Sequence, residues 1–408
     1  MSSPNLRSLS LLACLILLVA VTAVFAQDWP QWRGPDRDGK LTGFTPPKDW
    51  TTPWTQTWKV PVGAGDATPA LVGDKLYVVG RQGDNEVTLC LDANGKELWR
   101  DSYAAPAVTG PAARHPGLRS SPAVADGKVV VLGANGVLSC LDAKGKLLWR
   151  KDEFPGLVPK FFTGTSPLIT DNLVIAQLGS EAKGGVFAYD LLTGAQKWSW
   201  TDEGPMYSSP VLMTVAGVKQ IVTLTDRSLI GLALADGKLL WRIPFPAQGM
   251  SYNAATPIVD GQTVIYTAAS RGTHAVTIAR NGDVFAPTVL WDNPDLATQF
   301  NTPVLKDGLL FGLSDKGYFF CINAKTGATA WIDTVKRGGN FAAVLDAGSV
   351  ILALPSTSEL IAFKPSADAY TELAHVKVAD TPTYAHPVIA GKKIYIRDQD
   401  SLILWTLP

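Results

Sequence analysis

The chain has 408 residues with 36 basic and 36 acidic side chains, so its formal net charge is zero. That balance gives no electrostatic footprint for nucleic acid or for an anionic membrane surface, and no nucleic-acid partner is expected. Hydrophobic residues at 46% supply an ample core, and 37 glycines with 28 prolines punctuate the chain as an all-β protein requires.

The first element is a targeting segment. Arg7 precedes an apolar run from Leu9 to Phe25, and Val24-Phe25-Ala26 offers permissive residues at the cleavage positions. A signal peptide cleaved after Ala26 is predicted, with a periplasmic or secreted chain starting at Gln27. The run is slightly short of a comfortable membrane span, so no transmembrane segment is expected in the mature chain. Leu11-Leu12-Ala13-Cys14 has the form of a lipobox, but few apolar residues precede Cys14 and eleven residues of the run follow it. Lipidation is discounted on that ground.

Next come Trp29-Pro30-Gln31-Trp32-Arg33-Gly34-Pro35 and Asp36-Arg37-Asp38-Gly39. The second of these starts like a calcium loop, but the remaining ligand positions do not follow, and it reads as a surface turn. Gln56-Thr57-Trp58-Lys59-Val60 reads as an outer strand with no preceding partner.

From Thr68 onward a short extended element recurs eight times. It is Thr68-Pro69, Ser121-Pro122, Ser166-Pro167, Ser209-Pro210, Thr256-Pro257, Thr302-Pro303 and His386-Pro387, with Ala342-Ala343 as a degenerate copy. The spacings are 53, 45, 43, 47, 46, 40 and 44 residues. A period in the forties filled by short strands is the mark of a β-propeller blade. Proline is tolerated at the start of each innermost strand because its missing N–H falls outside the ladder.

Each unit closes on a turn and a tryptophan. Leu91-Asp92-Ala93-Asn94-Gly95 leads to Trp99, and Leu141-Asp142-Ala143-Lys144-Gly145 leads to Trp149. Variants end at Trp198, Trp241, Trp291 and Trp331. The turn suits a hairpin with glycine at positive φ, and the indole is expected to pack on the neighbouring blade. The last unit supplies three strands and stops at Pro408, so the strand around Trp58 is expected to complete it. The fold predicted for residues 27–408 is therefore an eight-bladed β-propeller, four antiparallel strands per blade, closed by an N-terminal strand. Cys90, Cys140 and Cys321 occupy equivalent positions in different blades, too far apart for disulfides, and read as small buried hydrophobes.

These Ser/Thr-Pro entries and Asp-x-x-Gly-Lys-x-x-Trp exits resemble the pyrroloquinoline quinone (PQQ) repeat superfamily over roughly Trp29 to Pro408, and Trp29 to Pro35 looks like that superfamily's opening segment. The resemblance implies one of two branches. One holds quinoprotein dehydrogenases that oxidise alcohols or aldoses with PQQ and Ca²⁺. The other holds non-catalytic propellers like the BamB subunit of the outer-membrane β-barrel assembly machinery. The adjacent cysteine pair usual in the alcohol dehydrogenases is missing here. No Gly-x-Ser-x-Gly, His-Glu-x-x-His or Cys-x-x-Cys motif occurs, and the four histidines, His115, His274, His375 and His386, show no ligand spacing. The expectation is a binding or scaffold protein without catalytic residues, metal or cofactor, engaging envelope or extracellular proteins; the alternative is a PQQ- and calcium-dependent dehydrogenase.

Antiparallel order places the connections between blades and the second-to-third strand loops on one face. That face collects Asp66, Arg81, Arg119, Tyr207, Asn253, Arg271, Asn340, Tyr384 and Asp398, together with Asp315 and Lys316. It also carries the longest insertion, Tyr103 to Leu118 with Arg114 and His115, and the segment Phe154 to Thr163. A mixed-charge funnel for a ligand or peptide at the channel mouth is expected there.

Overall fold

The computed structural model describes residues 28–408; the leader, its cleavage after Ala26 and Cys14 lie outside the described residues. Thirty-two strands form eight four-stranded antiparallel sheets, each sheet one blade. The described residues contain one short 3₁₀ helix, Gly110–Arg114, and no helix long and apolar enough to cross a membrane. Blade 1 consists of Ala70–Val72, Lys75–Gln82, Asn85–Leu91 and Glu97–Ala104. Blade 8 is Val388–Ala390, Lys393–Arg397 and Ser401–Thr406, with Thr55–Pro61 added as its outer strand. Trp58 lies opposite Leu404 and Lys59 opposite Ile403, so the two ends of the chain close the ring as the sequence predicts.

Adjacent blades meet through apolar side chains that alternate out of each strand. Between blades 2 and 3, for example, Val130, Leu132 and Leu138 pack on Val174, Ala176 and Phe187, all buried. The outer tryptophans add a directional contact to this packing. Trp58, Trp99, Trp149 and Trp198 each donate their indole N–H to a carbonyl in the turn of the following blade, at Ala93, Ala143, Leu191 and Leu234. Trp291 and Trp331 do the same to Ala324 and Ser366. Blade 7 has no outer tryptophan, and Trp405 of blade 8 reaches back to the Val378 carbonyl instead. The three cysteines are free and buried, and burial pushes the Cys90 thiol up to about 11 and those of Cys140 and Cys321 up to about 12.

The residue before each repeat proline has a second role. The backbone N–H of His386 donates to the Thr68 hydroxyl at 2.9 Å, and Thr68 to Ser121 at 3.1 Å. The relay continues through Ser166, Ser209 and Thr256 to Thr302. Seven blades are thereby stitched together around the axis. The relay opens at blade 7, where Ala342 brings no hydroxyl.

The channel is crossed by residues 29–41. Trp29 exchanges backbone hydrogen bonds with Leu71 of blade 1, the Pro30 carbonyl accepts from Val124 of blade 2, and Leu41 donates to Asp346 of blade 7. Arg33 donates to the carbonyls of Thr302 and Pro303 in blade 6, and Arg37 to those of Ser166 and Pro167 in blade 3. An innermost strand has no neighbour on its axial side, so its carbonyls need donors there, and a guanidinium carries five. Asp36-Arg37-Asp38-Gly39 is therefore not the surface turn that its sequence suggests, since Arg37 is only 4% exposed. Positive φ at Arg33, Gly34, Arg37 and Gly39 coils the segment so that both guanidiniums point inward. Burial holds their pKa values down, to about 10 for Arg33 and about 9 for Arg37, yet both stay charged at neutral pH.

Candidate functional site

Above this plug, on the face where the innermost strands begin, lies a cavity of about 380 Å³. Its floor is Trp32, with the Arg33 and Arg37 guanidiniums 5.6 and 5.9 Å from the indole ring and the His386 ring edge-on at 5.7 Å. Thr68, Ser121, Ser209 and Thr302 also line it. Each of their hydroxyl oxygens already accepts a backbone N–H, which leaves its proton free to donate. His386 is 7% exposed and its Nε2 has no hydrogen-bond partner. Burial, reinforced by the charge on Arg33, drives its pKa down to about 3, so the imidazole is neutral.

The walls are aromatic. The long insertion of blade 1 turns through the 3₁₀ helix and brings Arg114 and His115 to the rim. His115 Nδ1 bonds the Asp66 carboxylate at 2.7 Å, and its ring meets Tyr384 edge-on at 4.7 Å. Phe341 packs beside Tyr384 and stacks on Phe300 at 4.4 Å. Across the cavity Phe161 packs on Tyr207, whose hydroxyl accepts the Phe161 N–H at 3.0 Å. Burial pushes the Tyr207 phenol well above its usual range. Arg119 spends its guanidinium on the carbonyls of Phe161 and His115; burial lowers its pKa, with Asp66 opposing.

Four of the nine residues singled out in the sequence line this cavity: Asp66, Arg119, Tyr207 and Tyr384. The structure places the other five in the scaffold around it. Arg81 binds the carbonyls of Ala105 and Pro106 at the base of the long insertion. Arg271 and Asn253 bond each other and tie down the loop between blades 4 and 5 through Pro246, Phe245 and Ser251. Asn340 bonds Gln299, and Asp398 pairs with Lys59 of the closing strand at 3.1 Å. Asp315 accepts the Ser270 N–H. Trp32, Phe161, Phe300, Phe341 and His386 were not singled out. Two signals pointed to some of them: Trp32 sits in the opening segment and His386 replaces Ser/Thr in one repeat copy.

The oxygen ligands available to a cation are few. Among the described residues no group of three or more His, Cys, Asp and Glu is placed to hold a metal ion. Asp66 is the one carboxylate on the cavity wall and is engaged by His115. Asn301 directs its amide at the carbonyls of Leu313 and Asn340. Among the described residues the cavity lining offers one carboxylate, Asp66, and one amide, Asn301, fewer oxygens than the cluster a calcium-bound quinone needs.

Comparisons with known proteins agree with this architecture. The solved structure of BamB from Moraxella catarrhalis superposes with a TM-score of 0.64 at 16% identity, covering 87% of this chain and 98% of that one. A quinohemoprotein alcohol dehydrogenase from Comamonas testosteroni gives 0.68 at 14% identity, covering 93% and 80%. A europium-containing methanol dehydrogenase gives 0.72 at 12% identity, covering 93% and 98%. At these identities the likeness shows the fold alone. No curated protein matches the chain. The family model described as outer membrane protein assembly factor BamB matches residues 83–333, more than half of the chain, and the protein therefore belongs to that family of eight-bladed, PQQ-repeat propellers.

Proposed function

We propose that this chain is a non-catalytic scaffold of the bacterial envelope that holds partner proteins at the mouth of its ring. The observation that carries the reading is how Asp66, Arg119 and Asn301 at the mouth are spent. Asp66 is taken by His115, Arg119 by backbone carbonyls and Asn301 by its neighbours, while flat aromatic walls and the Arg114 guanidinium stay available. Aromatic side chains and arginine are the residue types on which protein recognition concentrates. Membership in the family of an outer membrane protein assembly factor supports the same reading.

One observation favours the rival reading, a quinoprotein dehydrogenase. The Asp66–His115 hydrogen bond has the geometry of an oriented general base. The incomplete oxygen set for a calcium ion weighs against it.

Site-specific photo-crosslinking in the native envelope tests the two. A crosslinking residue in place of Ala113, on the mouth, should give a discrete protein adduct identified by mass spectrometry. The same probe at Asp126, in a turn of the opposite face, should not. No mouth adduct, together with dye reduction by alcohols or aldoses after loading with PQQ and Ca²⁺, would replace the scaffold with the dehydrogenase.

A further inference from the structure

The mouth cavity carries more positive charge than its surface balance suggests. Arg33 and Arg37 lie beneath Trp32, bonded to backbone carbonyls and, among the described residues, ion-paired to no carboxylate, although the Asp38 charge partly offsets Arg33. Arg119 in the wall is likewise held by carbonyls, and Arg114 on the rim is exposed with no partner among the described residues. Against these four guanidiniums the wall sets a single carboxylate, Asp66. Low-dielectric aromatic walls focus such a field into the cavity.

The floor presents the groups that an anion needs. Four hydroxyl residues that line the cavity, Thr68, Ser121, Ser209 and Thr302, accept backbone N–H groups and keep their own protons free to donate. His386 lines the floor beside Trp32 as a buried imidazole whose Nε2 has no partner among the described residues. The volume of about 380 Å³ admits one or two side chains and not a folded element.

From these features we infer that the cavity binds an acidic side chain flanked by an aromatic one, presented by an extended segment of a partner protein. The carboxylate sits over the hydroxyls beside the His386 ring, drawn in past Arg114. The neighbouring aromatic ring packs between Trp32 and the Phe300–Phe341 or Phe161–Tyr207 wall. The inference rests on the protein-binding reading and specifies what that binding selects.

The test uses the mature protein and three probes. They are the peptide Gly-Phe-Glu-Phe-Gly blocked at both ends, the same peptide with Gln for Glu, and free phenylacetate. Calorimetry should show saturable binding of the Glu peptide that weakens with added salt, and at least tenfold weaker binding of the Gln peptide. Arg114→Ala should weaken the Glu peptide severalfold; Arg114 is exposed and unpaired, so an unchanged melting temperature confirms that the variant is folded. Equal binding of the Glu and Gln peptides, or no peptide binding at millimolar concentration, overturns the inference. Phenylacetate binding more tightly than the peptide also overturns it and makes the cavity a small-molecule site. Mouth crosslinks that persist while the peptides fail would leave the scaffold reading standing and remove only this one.

Discussion

The indole of Trp99 closes on Gly145 of the next blade so tightly that a Cβ on that glycine would stand 2.6 Å from the ring. Trp149 meets Gly194, Trp198 meets Gly237 and Trp291 meets Gly327 in the same way, and Trp58 approaches Gly95 less closely, at 3.2 Å. The turn glycine and the tryptophan of the preceding blade are two halves of one joint. Blade 7 lacks this joint because its turn, residues 364–371, has no glycine, and blade 5 lacks it for another reason. Its turn at Gly282 ends the long hairpin of Thr273–Asn281 and Val284–Asn293, with nothing within 4 Å of that glycine. Trp241, left without that turn, donates to Gln220 of its own blade at 2.6 Å.

Gly145→Ala should therefore cost about 2–4 kcal/mol, combining left-handed backbone strain with overpacking against the indole. Gly282→Ala, also at positive φ but in open space, should cost only about 1 kcal/mol. Urea denaturation of the two variants checks this; equal losses would mean that the indole contact contributes nothing beyond the backbone.

Ring closure predicts a second difference. Trp58→Ala removes a half-buried indole and its bond to Ala93 at 3.2 Å, for an expected loss of about 3 kcal/mol. Deleting residues 56–60 uncovers the edge of Ser401–Thr406, and limited proteolysis should then cut first in the last blade. A deletion variant that melts at the wild-type temperature would contradict the closure.

Arg33→Met should destabilise by about 3 kcal/mol or more, because it strands the carbonyls of Thr302, Pro303 and Asp38. Arg37→Lys should fail to restore wild-type stability, since one ammonium does not reproduce the fork that spans Ser166 and Pro167. Hydrogen exchange read at Val304 and Leu168 should show faster opening in the respective variants.

His386 predicts an acid limb in stability. Its pKa is about 3 in the folded protein against about 6.5 when unfolded. The unfolded chain therefore takes up a proton first, and stability is full above about pH 6.5 and falls as pH drops towards 3. His386→Gln should flatten that limb. The difference between the two stability curves isolates the histidine from the carboxylates that titrate in the same range, and parallel curves would show that His386 is not the group responsible.

The sequence by itself determined the ring. A period near 45 residues, proline at each strand start and a turn followed by tryptophan are local patterns, and each blade is a local structure whose strands pair in chain order. The orphan strand around Trp58 was legible too, because an open blade at the other end of the chain had one vacancy of matching type. Tertiary structure decided everything that depends on which side chains face the axis. Arg37 looks like part of a polar surface turn until the plug swings it onto carbonyls 129 and 130 residues away. Arg119 and Arg271 sit at loop ends on the same face, yet one lines the cavity and the other anchors a loop. Trp32, Phe300 and Phe341 come from three distant stretches and converge only because the ring brings its loops to one mouth. Strand pairing is specified by neighbours in sequence, whereas a site on the axis is assembled from all around the circle, and its members share no spacing that a linear pattern can carry.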